Sequence, residues 1–407
     1  MIKVRFAPSP TGIPHIGGTR TALFAYLFAK HNKGEFYLRI EDTDQKRLVP
    51  GSEEAIEEIL NWLGLSPDKK FKQSERLDIY KKHIDQVLSK KIAYKKEGAV
   101  YVHVPDDKEF FWEDLVGGKK ITFAGKDVED FVILKSDGFP TYHLASVVDD
   151  HLMEISHVMR GEEWISSTPK HLYLYETFGW TPPFFAHLPV ILGTDHTKLS
   201  KRHGAKSALD YRDEGYLPQA INNYTALLGW NPGGDKEIMD IDEMIKLFDL
   251  KDINVSSPIF DINKLNWMNG EYIRQLSIDE LSSKLKSHPL RQSFSEARNS
   301  KLVELAQNRM TTLNDFNKLT EWMDKPPKIS SSDKQIAKKL FEELSKVQKW
   351  KTEEILSALK KVMEEEEIKM KLLYKIFTGS ESGLPLPQSL EILGKEKTLK
   401  RLKYENY

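Results

Sequence analysis

The sequence predicts an α/β fold: a Rossmann-type parallel-sheet domain with a small inserted α+β subdomain, followed by all-α C-terminal domains. Three patterns lead to this prediction. Residues 2–40 read as strand, helix and strand, which is the order of a parallel crossover unit. Residues 93–131 change to alternating β-type patterns. After about residue 255 the chain is rich in Lys, Glu and Leu at helical spacing and has no strand pattern.

The composition excludes several classes of protein. A chain of 407 residues is long enough for about two to four domains. Its net charge of −1 favours neither a nucleic-acid binder nor a protein that avoids nucleic acid. It has no cysteine, which excludes disulfides, thiolate zinc sites and thiol catalysis. No secretory signal is visible and the longest apolar run, 22–29, is too short to span a bilayer, so we expect a cytoplasmic protein without membrane contact.

The first crossover unit places phosphate-binding groups at a helix N-terminus. Residues 2–6 alternate as a strand does, and Pro8 and Pro10 then force an extended loop. The sequence HIGG at 15–18 leads into a helix that is apolar nearly all round, and a second strand follows at 36–40. An imidazole and glycine amides at this helix start can receive a phosphate, because unpaired N–H groups and the helix dipole point at it.

The remaining elements follow from the same kinds of pattern. They are, in order, a helix over 52–63 that ends at Gly64, a helix over about 75–90, β structure over 93–131 with a hairpin turn at Gly117-Gly118, a return to the parallel sheet at 130–138, a strand over 155–159, a helix from 167, and a last buried strand over 187–192. Ligands of open α/β sheets bind at the carboxyl ends of strands, so we expect Arg5, Ser9 and Glu41 to converge.

A second stretch, KLSKR at 198–202, supports a functional interpretation of HIGG at 15–18. Alone it is typical of a solvated basic loop. Together, the two stretches resemble the HIGH-type and KMSKS-type motifs of class I aminoacyl-tRNA synthetases. The longer match RFAPSPTGIPHIGG over 5–18 is similar to the glutamyl branch, which commonly has glycine where Gly18 replaces the second histidine. Residues 379–402 resemble the end of bacterial glutamyl-tRNA synthetases, so the resemblance extends over the whole chain.

The resemblance implies an organisation and an activity. Residues 1–255 would be the catalytic nucleotide-binding domain, with 93–131 as a shortened acceptor-binding insertion. Residues 256–325 would contact the RNA stem, and 326–407 would bind the anticodon. The enzyme would activate L-glutamate with ATP and Mg²⁺ to glutamyl-adenylate. It would then transfer the glutamyl group to the 3′ end of tRNA-Glu, releasing AMP and pyrophosphate. It would hold no zinc or other metal of its own and act as a monomer.

The resemblance also implies the roles of individual residues. Positive and hydrogen-bonding groups must surround the phosphates of ATP, and a guanidinium suits a substrate carboxylate. The catalytic residues would be His15, Lys198 and Lys201. The ATP-binding residues would be Ser9, His15, Gly17, Gly18, Glu163, Ile191, Leu192 and Lys201. The glutamate-binding residues would be Arg5, Ala7, Ser9, Glu41, Tyr142 and Arg160. Two structural alternatives are an ion pair between Arg160 and Glu162 or Glu163, and a core position for Tyr142.

Other functions fit parts of the sequence. The long helical C-terminal region argues against a class I-like adenylyl transferase without an RNA-binding tail, and against the tail-less relative that glutamylates a modified tRNA base. Arg160 and the helical tail argue against the glutaminyl enzyme, whose known forms generally carry a β-barrel anticodon domain. A non-catalytic RNA-binding protein would not need Arg5, Glu41 and both lysine positions, all of which are present.

Overall fold

The computed structural model describes residues 1–199, 206–288 and 300–403. The chain divides into two compact units. The first comprises Met1–Arg212 and Pro218–Leu265, and the second comprises Asp213–Leu217 and Asn266–Tyr407. The finer division with boundaries after residues 255 and 325 stays a prediction.

The first unit contains the strands and the helices that surround them. Its strands are β1 (Lys3–Phe6), β2 (Glu35–Ile40), β3 (Lys69–Lys72), β4 (Ala93–Lys96), β5 (Ala99–Val102), β6 (Glu109–Asp114), β7 (Lys119–Ala124), β8 (Phe131–Leu134), β9 (His157–Gly161) and β10 (Phe184–Leu188). Its helices are α1 (Ile16–His31), α2 (Ser52–Leu63), α3 (Leu77–Ser89), α4 (Tyr142–Leu152), α5 (Thr168–Phe178), α6 (Ala208–Asp213), α7 (Pro218–Leu227) and α8 (Ile241–Leu247).

Parallel strands form the framework of this unit, as the sequence predicts. β2 lies between β1 and β3, and all three are parallel. β10 lies between β9 and β6, again in parallel. The two sets meet where the Ser156 N–H donates to the Lys3 carbonyl at 2.9 Å, next to the start of β9. The carboxyl ends of β1, β2, β9 and β10 therefore lie on one side of the unit.

The inserted strands share their core with the surrounding helices. β6 and β7 form the predicted hairpin, in which Gly117 and Gly118 have left-handed φ values of 73° and 60°. β4, β5 and β8 form an antiparallel sheet that packs on α3, α4 and α5 through residues such as Val102 and Ile133. β6 also joins the parallel sheet, since the Leu115 N–H donates to the Phe185 carbonyl at 2.9 Å.

Three predicted strands differ from those observed, and one of them, predicted at 155–159, lies two residues later as β9. The stretch 130–138 does not return to the parallel sheet, because its strand β8 pairs antiparallel with β5 and buries only alternate residues. The last strand was predicted at 187–192, whereas β10 ends at Leu188. Pro189 follows immediately and has no N–H for a strand hydrogen bond, which explains the earlier end.

The second unit is helical throughout its described residues. Its helices are α9 (Ile262–Gln275, whose first turn belongs to the first unit), α10 (Ile278–Ser287), α11 (Ser300–Gln307), α12 (Asn314–Thr320), α13 (Lys334–Lys346), α14 (Thr352–Glu365), α15 (Met370–Thr378), α16 (Leu386–Leu393) and α17 (Lys395–Leu402). Apolar stripes hold them together, as where α13 packs against α14, and Leu340 and Leu359 on these helices are fully buried. Within the described ranges, no helix combines the length and apolarity that a membrane crossing requires.

Candidate active site

A cavity of about 480 Å³ opens where the carboxyl ends of β1, β2 and β9 meet the start of α1. The predicted site residues that line it are Arg5, Ala7, Ser9, His15, Gly17, Gly18, Glu41, Tyr142, Arg160, Glu163, Ile191 and Lys198. These come from distant parts of the sequence and from several elements. Lys201 lies outside the described residues.

Leu192 does not line the cavity. Its N–H donates to the Pro258 carbonyl at 2.8 Å, and its carbonyl accepts from the Phe260 N–H at 2.8 Å. The backbone of Leu192 thus pairs with the 258–260 segment. Leu192 also forms a β-bridge with Lys198, which lines the cavity, and its role at the nucleoside of ATP stays a prediction.

His15 caps the helix that begins at the cavity. Its Nδ1 accepts a hydrogen bond from the Gly17 N–H at 3.0 Å, which leaves the proton of the neutral ring on Nε2. A Cβ atom at position 17 would lie 2.7 Å from the His15 ring, so glycine lets the imidazole fold over the helix start. Burial lowers the pKa of His15, and the positive charge of Lys198 lowers it further. The neutral ring can donate from Nε2 to an anion.

Lys198 stands on a short turn that is fixed to the cavity wall. The Leu199 N–H donates to the Ile191 carbonyl at 2.8 Å, and the buried side chain of Leu199 lines the cavity. Lys198 is exposed and also lines the cavity. When the described chain resumes, Ser207 pairs with His15 through a β-bridge. Leu199 and Ser207 are thus both held next to residues that line the cavity.

A buried cluster of charges supports one wall of the cavity, which its members Arg5 and Glu41 line. Asp150 on α4 accepts from Arg5 Nε at 2.9 Å and from Arg39 Nη1 at 2.7 Å. Arg39 also donates to Glu41 Oε1, from Nη2 at 2.9 Å and from Nε at 3.2 Å. These four side chains are at most 6% exposed. They tie the carboxyl ends of β1 and β2 to α4.

The environment sets the protonation of the two acids in this cluster differently. Burial alone would raise the pKa of Asp150, but the Arg39 and Arg5 guanidinium groups outweigh it and lower that pKa. Burial raises the pKa of Glu41, and Arg39 and Arg5 offset only part of this effect. An ammonium group in the cavity next to Glu41 would therefore stabilise its charged form.

Arg160 has a different environment from Arg5. Its Nε donates to His187 Nε2 at 3.1 Å, Nη1 to the Tyr142 hydroxyl at 3.0 Å, and Nη2 to Thr168 Oγ1 at 2.8 Å. His171 Nδ1 lies 3.2 Å from Nη1. All of these acceptors are uncharged, since burial lowers the pKa of both histidines. In the described part of the chain no Asp or Glu forms an ion pair with Arg160, although Arg160 is only 5% exposed.

Glu162 and Glu163 do not form an ion pair with Arg160, so this alternative role for Arg160 is wrong. Glu162 Oε1 accepts from the Val190 N–H at 2.8 Å, and Glu163 is an exposed residue that lines the cavity. Tyr142 is only half-buried at the start of α4. Its hydroxyl faces Arg160 at the cavity wall and is not enclosed in the core.

The sequence reasoning missed several residues that shape this site. Arg39, Asp150 and His187 hold the predicted residues, and Arg20 lines the cavity and donates to the Leu228 carbonyl at 3.0 Å. Burial lowers the pKa of Arg20 to about 10. The sequence offered one indication of Asp150, because Asp149-Asp150 is a pair of acids that directly follows the apolar residues Val147 and Val148.

Comparisons with known proteins show the family of this chain. The family model described as class I tRNA synthetases (E and Q), catalytic domain, matches residues 1–100 and 95–267. A glutamate–tRNA ligase of Dehalococcoides mccartyi (strain CBDB1) is 40% identical, and the alignment covers 98% of this chain and 96% of that protein. The chain belongs to the glutamate–tRNA ligase family of class I tRNA synthetases. Members of this family are aminoacyl-tRNA ligases, and ATP is a substrate of the class.

Further members of the glutamate–tRNA ligase family match over the full length. The ligase of Finegoldia magna is 36% identical over 98% of both chains. A crystal structure of a glutamate tRNA ligase from Elizabethkingia meningosepticum, in complex with its amino acid, covers 98% of both chains with a TM-score of 0.84 and 33% identity. A family model for an anticodon-binding domain matches residues 268–405. The likeness thus includes the helical region as well as the cavity.

Proposed function

We propose that this chain is a glutamate–tRNA ligase. It activates L-glutamate with ATP to glutamyl-adenylate and transfers the glutamyl group to the 3′ end of tRNA-Glu, releasing AMP and pyrophosphate. The observation that carries this proposal is Arg160, a buried cation at the cavity wall whose described partners are all uncharged. A substrate carboxylate would supply the missing negative charge.

The glutamate site follows from the charges of the cavity. Arg160 and Tyr142 bind the side-chain carboxylate of the substrate. Glu41 receives the α-ammonium with help from Ser9, because both bonds from Arg39 use Oε1 of Glu41 and its other oxygen is not involved in them. Ala7 forms part of the wall. Arg5 contributes through Nη1, whose bond to the Met159 carbonyl is long at 3.4 Å.

The phosphates of ATP lie at the other end of the cavity in this proposal. His15 donates from Nε2, and Gly17 and Gly18 present the start of α1 with its positive dipole end. Lys198, and Lys201 by its place in the motif, neutralise the charge that develops on the phosphates as pyrophosphate leaves. Glu163 and Ile191 form the wall for the nucleoside.

The proposal also covers the tRNA partner, the metal ions, the oligomeric state and the location of the protein. The helical region matched by the anticodon-binding model binds tRNA-Glu. Mg²⁺ enters with ATP, and the enzyme needs no zinc. In the described ranges no cluster of three or more His, Asp or Glu has the arrangement of a metal site. We also propose that the protein acts as a monomer in the cytoplasm.

The substitution Arg160→Gln tests the proposal. Removing the guanidinium removes the charge-assisted hydrogen bonds to the substrate carboxylate, worth roughly 1.5–3 kcal/mol each. We expect the kcat/KM for glutamate to fall at least about tenfold, while that for glutamine falls much less. The measurement is ATP–pyrophosphate exchange with each amino acid in the presence of tRNA-Glu.

Arg76→Gln is the matched control, since Arg76 is paired with Asp149 at 2.8 Å and does not line the cavity. This control should leave the ratio of the two kcat/KM values unchanged. If Arg160→Gln also left the ratio of kcat/KM for glutamate to kcat/KM for glutamine unchanged, the assignment of Arg160 to the substrate carboxylate would be wrong.

A further inference from the structure

The carboxylate of Asp114 reaches the glutamate site through one histidine. Asp114 is the last residue of β6, the inserted strand that joins the parallel sheet, and it is 3% exposed. Its Oδ1 accepts from the His187 N–H at 3.0 Å and from the Val116 N–H at 3.1 Å. Its Oδ2 accepts from Nδ1 of the His187 ring. Asp114 therefore fixes both the backbone and the ring of His187.

This contact decides which nitrogen of His187 carries the proton. Burial would raise the pKa of Asp114, but its hydrogen bonds with His187 outweigh that effect and lower it, so the carboxylate is charged and only accepts. Burial also lowers the pKa of His187, which keeps the ring neutral. With its proton on Nδ1, the ring presents a lone pair at Nε2 to Arg160 Nε, 3.1 Å away.

We propose that Asp114 and His187 are positioning residues for glutamate selection, acting through Arg160. This inference rests on the proposed function. The histidine holds the guanidinium plane by its Nε while the negative charge of Asp114 stays one side chain away from it. A carboxylate in direct contact would neutralise Arg160, as Asp150 does for Arg5. The neutral ring orients the guanidinium and leaves its charge for the substrate.

The position of Asp114 gives the inserted strands a role in amino-acid selection. β6 pairs with β10, which carries His187, and β10 pairs with β9, which carries Arg160. His187 lies opposite Arg160 in the strand register, and Asp114, which lies opposite Phe185, reaches His187 through its carboxylate. Displacement of β6 would turn His187 and, with it, the guanidinium that meets the substrate.

Asp114→Asn tests this inference with an isosteric change. The amide oxygen has to accept from the two backbone N–H groups, so its NH₂ group faces Nδ1 of His187. The ring must then accept at Nδ1 and carry its proton on Nε2, where it opposes the N–H of Arg160. We expect the KM for glutamate to rise about 10- to 100-fold, by analogy with the loss of outer partners of ligating histidines. The KM for ATP should stay within about twofold.

Asp130→Asn is the matched control. Asp130 also accepts from a histidine, His103 Nδ1, at 2.9 Å, but this pair is exposed and contacts no residue of the cavity. Both variants are assayed by ATP–pyrophosphate exchange with tRNA-Glu. A rise of the glutamate KM in Asp114→Asn alone supports the inference. Equal KM values for glutamate in the two folded variants would overturn it.

The tautomer of His187 can be measured in the wild-type protein, independently of activity. In ¹⁵N–¹H correlation spectra of histidine-labelled protein, with His187→Gln for assignment, we expect a neutral ring protonated on Nδ1. A proton on Nε2 in the wild type would overturn the inference even if Asp114→Asn does not fold. Absence of glutamate-dependent exchange in the wild type would instead contradict the proposed function. The spectra would still test the hydrogen bonds that link Asp114, His187 and Arg160.

Discussion

The imidazole of His15 and the ammonium of Lys198 influence each other at the edge of the cavity. His15 is held in its neutral form by partial burial and by the charge of Lys198, both of which lower its pKa. Its Nδ1 is used by the Gly17 N–H, so only Nε2 is free to donate. The start of α1 therefore offers a phosphate one imidazole N–H in addition to the helix amides.

Lys198→Gln should alter both the chemistry and the titration of His15. Removing a positive neighbour raises the pKa of His15 toward its ordinary value of 6.5. It also removes a cation at the phosphates, so we expect the rate of ATP–pyrophosphate exchange to fall about 10- to 100-fold. Histidine NMR titration and the exchange rate are the two measurements. Lys236→Gln, which removes an exposed ion pair with Glu243, should change neither. A fall of the His15 pKa would contradict this prediction.

Residue types were predictable from the sequence, but their electrostatic environments were not. The motif over 5–18 and KLSKR, through the family that they resemble, predicted many of the residues that line the cavity, but not Arg20. The difference between Arg5, which is neutralised by Asp150, and Arg160, which is not, depends on a contact between residues 145 positions apart. Such a contact exists only after the strands and α4 have come together.

At the scale of elements, the charge cluster joins β1, β2 and α4. The carboxylate of Asp150 accepts hydrogen bonds both from Arg5 on β1 and from Arg39 on β2. Both guanidinium groups are buried; Arg5 forms its ion pair with Asp150, and Arg39 pairs with both Asp150 and Glu41. The same residues that shape the cavity wall therefore also hold these three elements in register.

Asp150→Asn should destabilise the protein strongly. It leaves two buried guanidinium groups without their shared carboxylate, and loss of one partner of a buried ion pair costs about 3–5 kcal/mol. We expect the free energy of unfolding from urea titrations of the full chain to fall by about this amount. Glu154→Gln is the control, because the ion pair of Glu154 with Lys3 is exposed and worth about 1 kcal/mol or less. Similar losses in both variants would contradict the role of Asp150.

Local patterns predicted the elements better than their partners. The strand–helix–strand unit was predictable because β1, α1 and β2 are continuous in sequence and each shows its own period. The apolar stretch of β8 gives no sign of which sheet it joins, since its partner β5 lies about 30 residues earlier. Pairing between distant strands is set by the shared core on α3, α4 and α5, which no local window contains.

At the scale of the whole molecule, we assign different parts of the proposed activity to the two units. The first unit contains the cavity with every described residue that we assign to glutamate and ATP. The second unit is helical, and its family match is to an anticodon-binding domain over 268–405. The resemblance to a family led to this division of roles, which stays a prediction. Composition alone did not, because a net charge of −1 gives no sign of an RNA partner.

Glutamate-dependent ATP–pyrophosphate exchange, measured with and without tRNA-Glu, tests the central claim most directly. The proposed function predicts exchange when glutamate, ATP, Mg²⁺ and tRNA-Glu are all present, and little exchange when glutamine replaces glutamate. Circular dichroism on the same sample establishes that the protein is folded. Absence of exchange by folded protein, with or without the tRNA, would contradict the assignment of the cavity to glutamate activation.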